Sequence, residues 1–119
     1  MTQAAITKTS NDVEIVITGH AGYNPGNDVV CAGISTLSYT LINYLNYLAE
    51  AAKIKELHVE ADEGNHRIRF EKYTAYDPIV DSAIEMFIMG LKMVSEHYPD
   101  NLQVTAPKSV QDQYNGMVS

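Results

Sequence analysis

The sequence predicts an α+β fold, with elements in the order β-β-α-β-β-α-β and two long helices packed on a mostly antiparallel sheet. Three patterns carry that expectation. Apolar residues alternate with polar ones in two pairs of short segments, and turn-forming residues part the members of each pair. Two much longer stretches repeat their apolar positions every three or four residues, the period of a helix with one buried stripe. A short strand-like segment, NLQVTA, closes the series.

The first pair is AAITKT at 4–9 and VEIVIT at 13–18, separated by Ser10, Asn11 and Asp12. Val13, Ile15 and Ile17 alternate with Glu14, Val16 and Thr18, as in a strand with one buried face. A connector, HAGYNPGN, follows, and its glycines and proline break any regular period. Val30, Ile34, Leu37, Leu41, Leu45 and Leu48 then form one helical stripe, so a helix is expected over 28–52. Asp28 is its N-cap candidate, because its carboxylate can accept from a free first-turn N–H. Tyr39, Tyr44 and Tyr47 are more aromatic surface than a solvated back face needs.

The second pair surrounds Asp62-Glu63-Gly64-Asn65: Leu57, Val59 and Ala61 alternate before it, Ile68 and Phe70 after it. A second helix is expected over 77–98, with Asp77 as N-cap and Pro78 at the first helical position, where its missing N–H costs nothing. This helix carries two apolar stripes. One holds Val80, Ile84, Phe87, Leu91 and Val94; the other holds Ile79, Met86, Met89 and Met93. Either the helix is sunk between sheet and first helix, or the Met-rich stripe serves self-association. The spare tyrosines favour a homodimer. Tyr73 and Tyr76 either line a peptide groove or pack in the core or a dimer contact.

A chain of 119 residues can bury a core without metal or disulfide support, and one domain over 1–106 with a mobile tail over 107–119 is expected. The formal net charge of −7, with no cluster of Lys and Arg, repels phosphate backbones and excludes direct nucleic-acid binding. A lone cysteine forms no internal disulfide and suits a reducing compartment. There is no basic stretch leading into an apolar signal region, nor an apolar run long enough for a membrane span. A cytoplasmic location without membrane attachment is therefore expected. His58, His66 and His97 follow no metal-ligand spacing and are read as surface histidines, with His58 and His66 able to face each other across the hairpin. No metal and no cofactor are expected. AGYNPGND is not a phosphate loop, since no GK[ST] follows and an acidic residue starts the helix.

The chemistry concentrates in 19–35, GHAGYNPGNDVVCAGIS. With Asp28 as N-cap, Cys31 lies in the first helical turn, where free N–H groups and the helix dipole favour the thiolate. His20 stands where a strand hands over to a loop, and a loop of this length can bring it back to the thiol as base or ion-pair partner. Asp28 opposes a thiolate electrostatically, so it is assigned to orienting His20 or holding the loop. Ser35 follows Cys31 by one turn on the same helical face. First-turn N–H groups, that of Cys31 included, are the expected oxyanion donors. On spacing alone a packed, inert cysteine remains the competing reading.

The motif G-H-A-G-Y, then G-x-D-x-V-C-A-x-x-S, resembles the signature of the ribosomal-processing cysteine proteases, the Prp family. The hairpin turn at 62–64 and MGLKMVSEHYPDNLQV at 89–104 resemble that family's later segments, so the resemblance covers about 3–105. It implies a small dimeric α+β endopeptidase that removes a short N-terminal extension from a large-subunit ribosomal protein in Firmicutes-type bacteria. Related members act on phage capsid or scaffold proteins with a similar extension. By position, Cys31 matches the nucleophile and His20 the general base. Asp28 and Ser35 match two supporting polar positions, and Gly22 and Gly26 match flexible glycines of a substrate-adapting loop that also holds Tyr23. The loop here is about one residue shorter than the family's, and Asn24-Pro25 stiffens it. The alternative function is a non-catalytic, ribosome-associated dimeric binding module with a structural thiol.

Overall fold

The computed structural model describes residues 1–107; the expected tail from 108 onward lies outside the described residues. The first strand pair forms β1 (Thr2–Lys8) and β2 (Asp12–Thr18), then α1 (Val29–Glu50) follows. The second pair forms β3 (Ile54–Asp62) and β4 (Asn65–Lys72), and a 3₁₀ turn (Thr74–Tyr76) leads into α2 (Asp77–His97) and β5 (Leu102–Thr105). The fold is α+β in the expected order.

The strands form one five-stranded sheet in the order β3-β4-β2-β1-β5. All pairings are antiparallel except β1 with β5, which is parallel because α2 carries the chain back to that edge. Alternation gives the sheet one apolar face: Ala4 and Ile6 from β1, Val13, Ile15 and Ile17 from β2, Ile68 and Phe70 from β4, Leu102 and Val104 from β5 are all buried. Both helices cover that face. Val30, Ile34, Leu41, Ile42, Leu45 and Leu48 of α1 meet Val80, Ile84, Phe87, Ile88 and Leu91 of α2 over it. The helices approach closely at Gly90, where a Cβ would lie 2.7 Å from Leu37 Cδ2.

The structure differs from four local expectations. Asp77 is the first helical residue rather than the N-cap, and Pro78 the second; Tyr76 takes the cap position without a side-chain bond. The reason is electrostatic. Lys72 is buried at the end of β4, and Asp77 and Asp81 pair with it at 3.5 and 3.9 Å while Lys8 also pairs with Asp81. Asp77 is thus drawn to a buried ammonium that needs anionic company.

His58 and His66 do not face each other: His58 lies opposite Arg69, and His66 opposite Ala61. The two-residue turn pairs Asp62 with Asn65 and so fixes this register back to His58; a register shift between Lys55 and His58, with Glu56 at φ 54°, lies farther from the turn. Nor is His66 a surface residue; it is 8% exposed beneath α1. The second helix, finally, is not sunk on all sides. Met86 and Met93 are 76% and 58% exposed. Among the described residues no helix is long and apolar enough to cross a membrane.

Candidate active site

β2 ends at Thr18, and the chain leaves the sheet through Gly19 and His20 into the connector that returns at Asp28. Asp28 is the N-cap of α1, and its carboxylate organises both sides of the junction. Oδ1 accepts the N–H of Val30 at 2.9 Å and of Cys31 at 3.0 Å. Oδ2 accepts the N–H of Tyr23 at 2.9 Å and of Asn24 at 3.2 Å. One side chain therefore starts the helix and folds the loop back onto it. These four donors, the Cys31 N–H foremost, outweigh desolvation and hold the Asp28 carboxyl below its ordinary range. Of the two duties expected of Asp28, holding the loop is the one its bonds perform.

Asp28 already occupies three of the first-turn N–H groups expected as oxyanion donors, that of Cys31 included. The N–H groups of Val30 and Cys31 are occupied by Asp28 Oδ1, and that of Ala32 by the Asp28 carbonyl at 3.0 Å. A different donor faces the sulfur. The N–H of Ala21 donates to Cys31 Sγ at 3.3 Å, so the residue after His20 touches the thiol directly.

His20 and Cys31 line one cavity of about 530 Å³, within the range of small-ligand and peptide subsites. Asp28 and Ser35 line it as well, as do Gly22, Pro25 and Gly26 from the loop. Tyr23 does not. Its ring, half exposed, meets the edge of Tyr98 with centroids 5.1 Å apart and anchors the loop from outside. Ile17, Ile34 and Tyr39 supply apolar wall, and the turn between β3 and β4 supplies the opposite rim.

Two residues of that rim were not read as site residues from the sequence. In the sequence Gly64 is only a turn glycine. It has φ 74°, its carbonyl accepts the Gly19 N–H at 3.0 Å, and a Cβ on it would lie 3.0 Å from His20 Nε2. Gly64 thus leaves the space that the His20 ring occupies. The other is His66, which lines the cavity while sharing a 2.7 Å hydrogen bond between its Nδ1 and Ser38 Oγ. Tyr39 packs edge-on against its ring at 5.0 Å. Burial pushes His66 below its ordinary range, with the Asp62 carboxylate opposing. The signal was present: alternation through Ile68 and Phe70 places position 66 on the buried face.

His97 bonds the Met93 carbonyl at 2.9 Å in the last turn of α2, and His58 is exposed near Glu56. No cluster of three metal-ligating side chains exists among the described residues.

The chain matches the family model described as cysteine protease Prp over residues 1–103. It is 30% identical over 113 residues to the ribosomal processing cysteine protease Prp of Bacillus subtilis (strain 168), covering 88% of this chain and 96% of that one. An essential ribosomal processing protease Prp from S. aureus, solved with a covalently linked product peptide, shares the fold: TM-score 0.68, 18% identity, 90% of this chain and 100% of the other. SMU.848 from Streptococcus mutans superposes with a TM-score of 0.63 at 29% identity, over 89% of this chain and 93% of its own. These matches set aside the non-catalytic binding module. The chain belongs to the Prp family and is a cysteine protease.

Proposed function

We propose that this protein is an endopeptidase that removes an N-terminal extension from a large-subunit ribosomal protein, with Cys31 as nucleophile and His20 as its acid–base partner. One observation carries the assignment: the chain has a single cysteine, and its sulfur lines the same cavity as the His20 ring. A cysteine protease with one cysteine has no other thiol to use.

The thiolate lone pair of Cys31 attacks the scissile carbonyl, and the π pair of that carbonyl moves onto its oxygen. Collapse of the tetrahedral species expels the amine, which takes a proton from His20, and leaves a thioester. Water, deprotonated by His20, then hydrolyses the thioester and frees the acid. Asp28 holds the loop and helix start in register. Ser35 lines the cavity one turn past the nucleophile, and Gly22 and Gly26 give the loop its approach to substrate.

A ribosomal substrate accords with the Bacillus subtilis and S. aureus relatives, which are ribosomal processing proteases. Such a substrate puts the reaction in the cytoplasm. The exposed Met86 and Met93 of α2, with Tyr44 and Tyr47 of α1, support a homodimer formed through the outer face of the helices.

The test is mass spectrometry of the unprocessed ribosomal protein after incubation with wild type, Cys31→Ala and His20→Ala. Wild type should remove the extension, and each variant should lose turnover by about 10³-fold or more while remaining folded. Full turnover by either variant overturns the dyad. Cleavage of a phage scaffold protein but not of the ribosomal one overturns the substrate.

A further inference from the structure

The donor that faces Cys31 is held from a distant part of the chain. Asn101 lies in the turn between α2 and β5, and its side-chain amide donates to the Ala21 carbonyl at 2.9 Å. Its own backbone is pinned on both sides. The Asn101 carbonyl accepts the Thr2 N–H at 3.0 Å, and the Asn101 N–H donates to the Tyr98 carbonyl at 3.0 Å. Tyr98 in turn supports Tyr23 of the loop. The side chain is thus pre-aimed by β1 and by the end of α2, two elements that the sheet already fixes. Backbone conformation gives no reason for asparagine here, since Asn101 does not adopt a positive φ. Its amide donor, directed at Ala21, is the use the structure shows.

Ala21 is 1% exposed, and its two peptide groups face opposite tasks. The carbonyl is gripped by Asn101; the N–H points at Sγ. While the Val30 and Cys31 N–H groups are occupied by Asp28, the Ala21 N–H donates to the sulfur.

We propose that Asn101 is a positioning residue: by holding the Ala21 carbonyl it keeps the Ala21 N–H at the sulfur, where it serves the thiolate before attack and the oxyanion after it. The inference rests on Cys31 being the nucleophile. As the sulfur lone pair becomes the S–C bond, negative charge leaves sulfur for the carbonyl oxygen one bond further on. A donor fixed at the sulfur needs only a small displacement to follow it, and a fixed donor reorganises less than water does. Asn101 does not line the cavity and bonds Ala21 rather than the sulfur, so its effect passes through Ala21.

The test uses iodoacetamide on the full native chain of wild type, Asn101→Leu and Asn101→Asp. Leu removes the donor with similar bulk, and Asp keeps the shape while turning donor into acceptor. Urea denaturation midpoints establish which variants are folded, and Asp serves should Leu not fold. Cys31 alkylation should slow by about fivefold or more near pH 7 and converge with wild type within about twofold near pH 9.5, where thiols are ionised without help. Convergence separates loss of the donor from loss of access. In cleavage of the ribosomal extension peptide, kcat should fall about tenfold with KM within about twofold, a fraction of what removing an oxyanion donor outright costs. Alkylation and kcat both unchanged in a folded variant overturn the inference and leave Cys31 as nucleophile intact. Wild-type alkylation no faster than that of an ordinary thiol overturns both.

Discussion

At the scale of single residues, Asp28 and His66 show how a side chain's duty follows from what it bonds. Asp28 satisfies four N–H groups, so it is structural at the very place where its position beside a cysteine suggests chemistry. His66 is the reverse case: a polar group buried at the edge of the cavity, held below its ordinary range by desolvation and tied to Ser38, which is itself fully buried. Its protonation is linked to folding. The folded state holds His66 below its ordinary value of 6.5, so an unfolded chain takes up its proton first as pH falls. The His66 contribution is therefore fully present above that value and is lost as pH falls through the folded one. Urea midpoints of wild type should drop on going from neutral to mildly acidic pH. In His66→Gln, which keeps a neutral hydrogen-bonding group, that drop should be smaller. Identical pH slopes in the two proteins would show that His66 does not titrate on unfolding. Alternation in β4 points His66 to the buried face, against its reading as a surface histidine; its bond to Ser38 was not legible, because it joins residues 28 apart on elements whose register is tertiary.

At the scale of elements, the β3–β4 hairpin is more than a sheet edge. Asp62 pairs with Asn65, leaving Glu63 and Gly64 as the connection, and that turn faces His20. Gly64→Ala meets two obstacles at once: the left-handed backbone and the imidazole in the space of the new Cβ. The first costs about 1–2 kcal/mol of stability. The second moves His20, and with His20 as the proposed acid–base partner that displacement loses about tenfold to a hundredfold in turnover. We expect kcat/KM for the ribosomal extension peptide to fall by that factor, with the urea midpoint falling less than in a core truncation. A variant with normal turnover and only reduced stability would confine Gly64 to the turn. The helix and hairpin elements were legible in the sequence because apolar period and turn residues act locally. The cap of α2 was not, since Asp77 pairs with Lys72 at the end of β4 instead of capping its own helix.

At the scale of the whole molecule, the fold is thin. The described chain spans 42 × 34 × 18 Å, the last being the depth of one sheet and one helical layer. The outer face of the helices accordingly has nothing from the described chain upon it, and Met86 and Met93 stand there with Tyr44 and Tyr47. If two copies pair through this face, wild type should sediment as a dimer at micromolar concentration. Met86→Lys with Met93→Lys should then shift it toward monomer with helical content retained. Wild type sedimenting only as monomer would remove the homodimer.

The sequence by itself determined the strands and helices, the cap at Asp28, the turn at Gly64 and, through the family motif, that His20 and Cys31 are the residues to look for in one cavity. These depend on spacing along one chain, and spacing is what a sequence records. Only the tertiary structure decided that β5 lies parallel to β1, that His66 sits under α1, and that the Ala21 N–H rather than the first helical turn faces the sulfur. It also decided that Asn101 reaches Ala21 from 80 residues away. Such contacts arise where several elements converge on one cavity. No local pattern encodes them, because each partner's environment is set by residues remote in the chain.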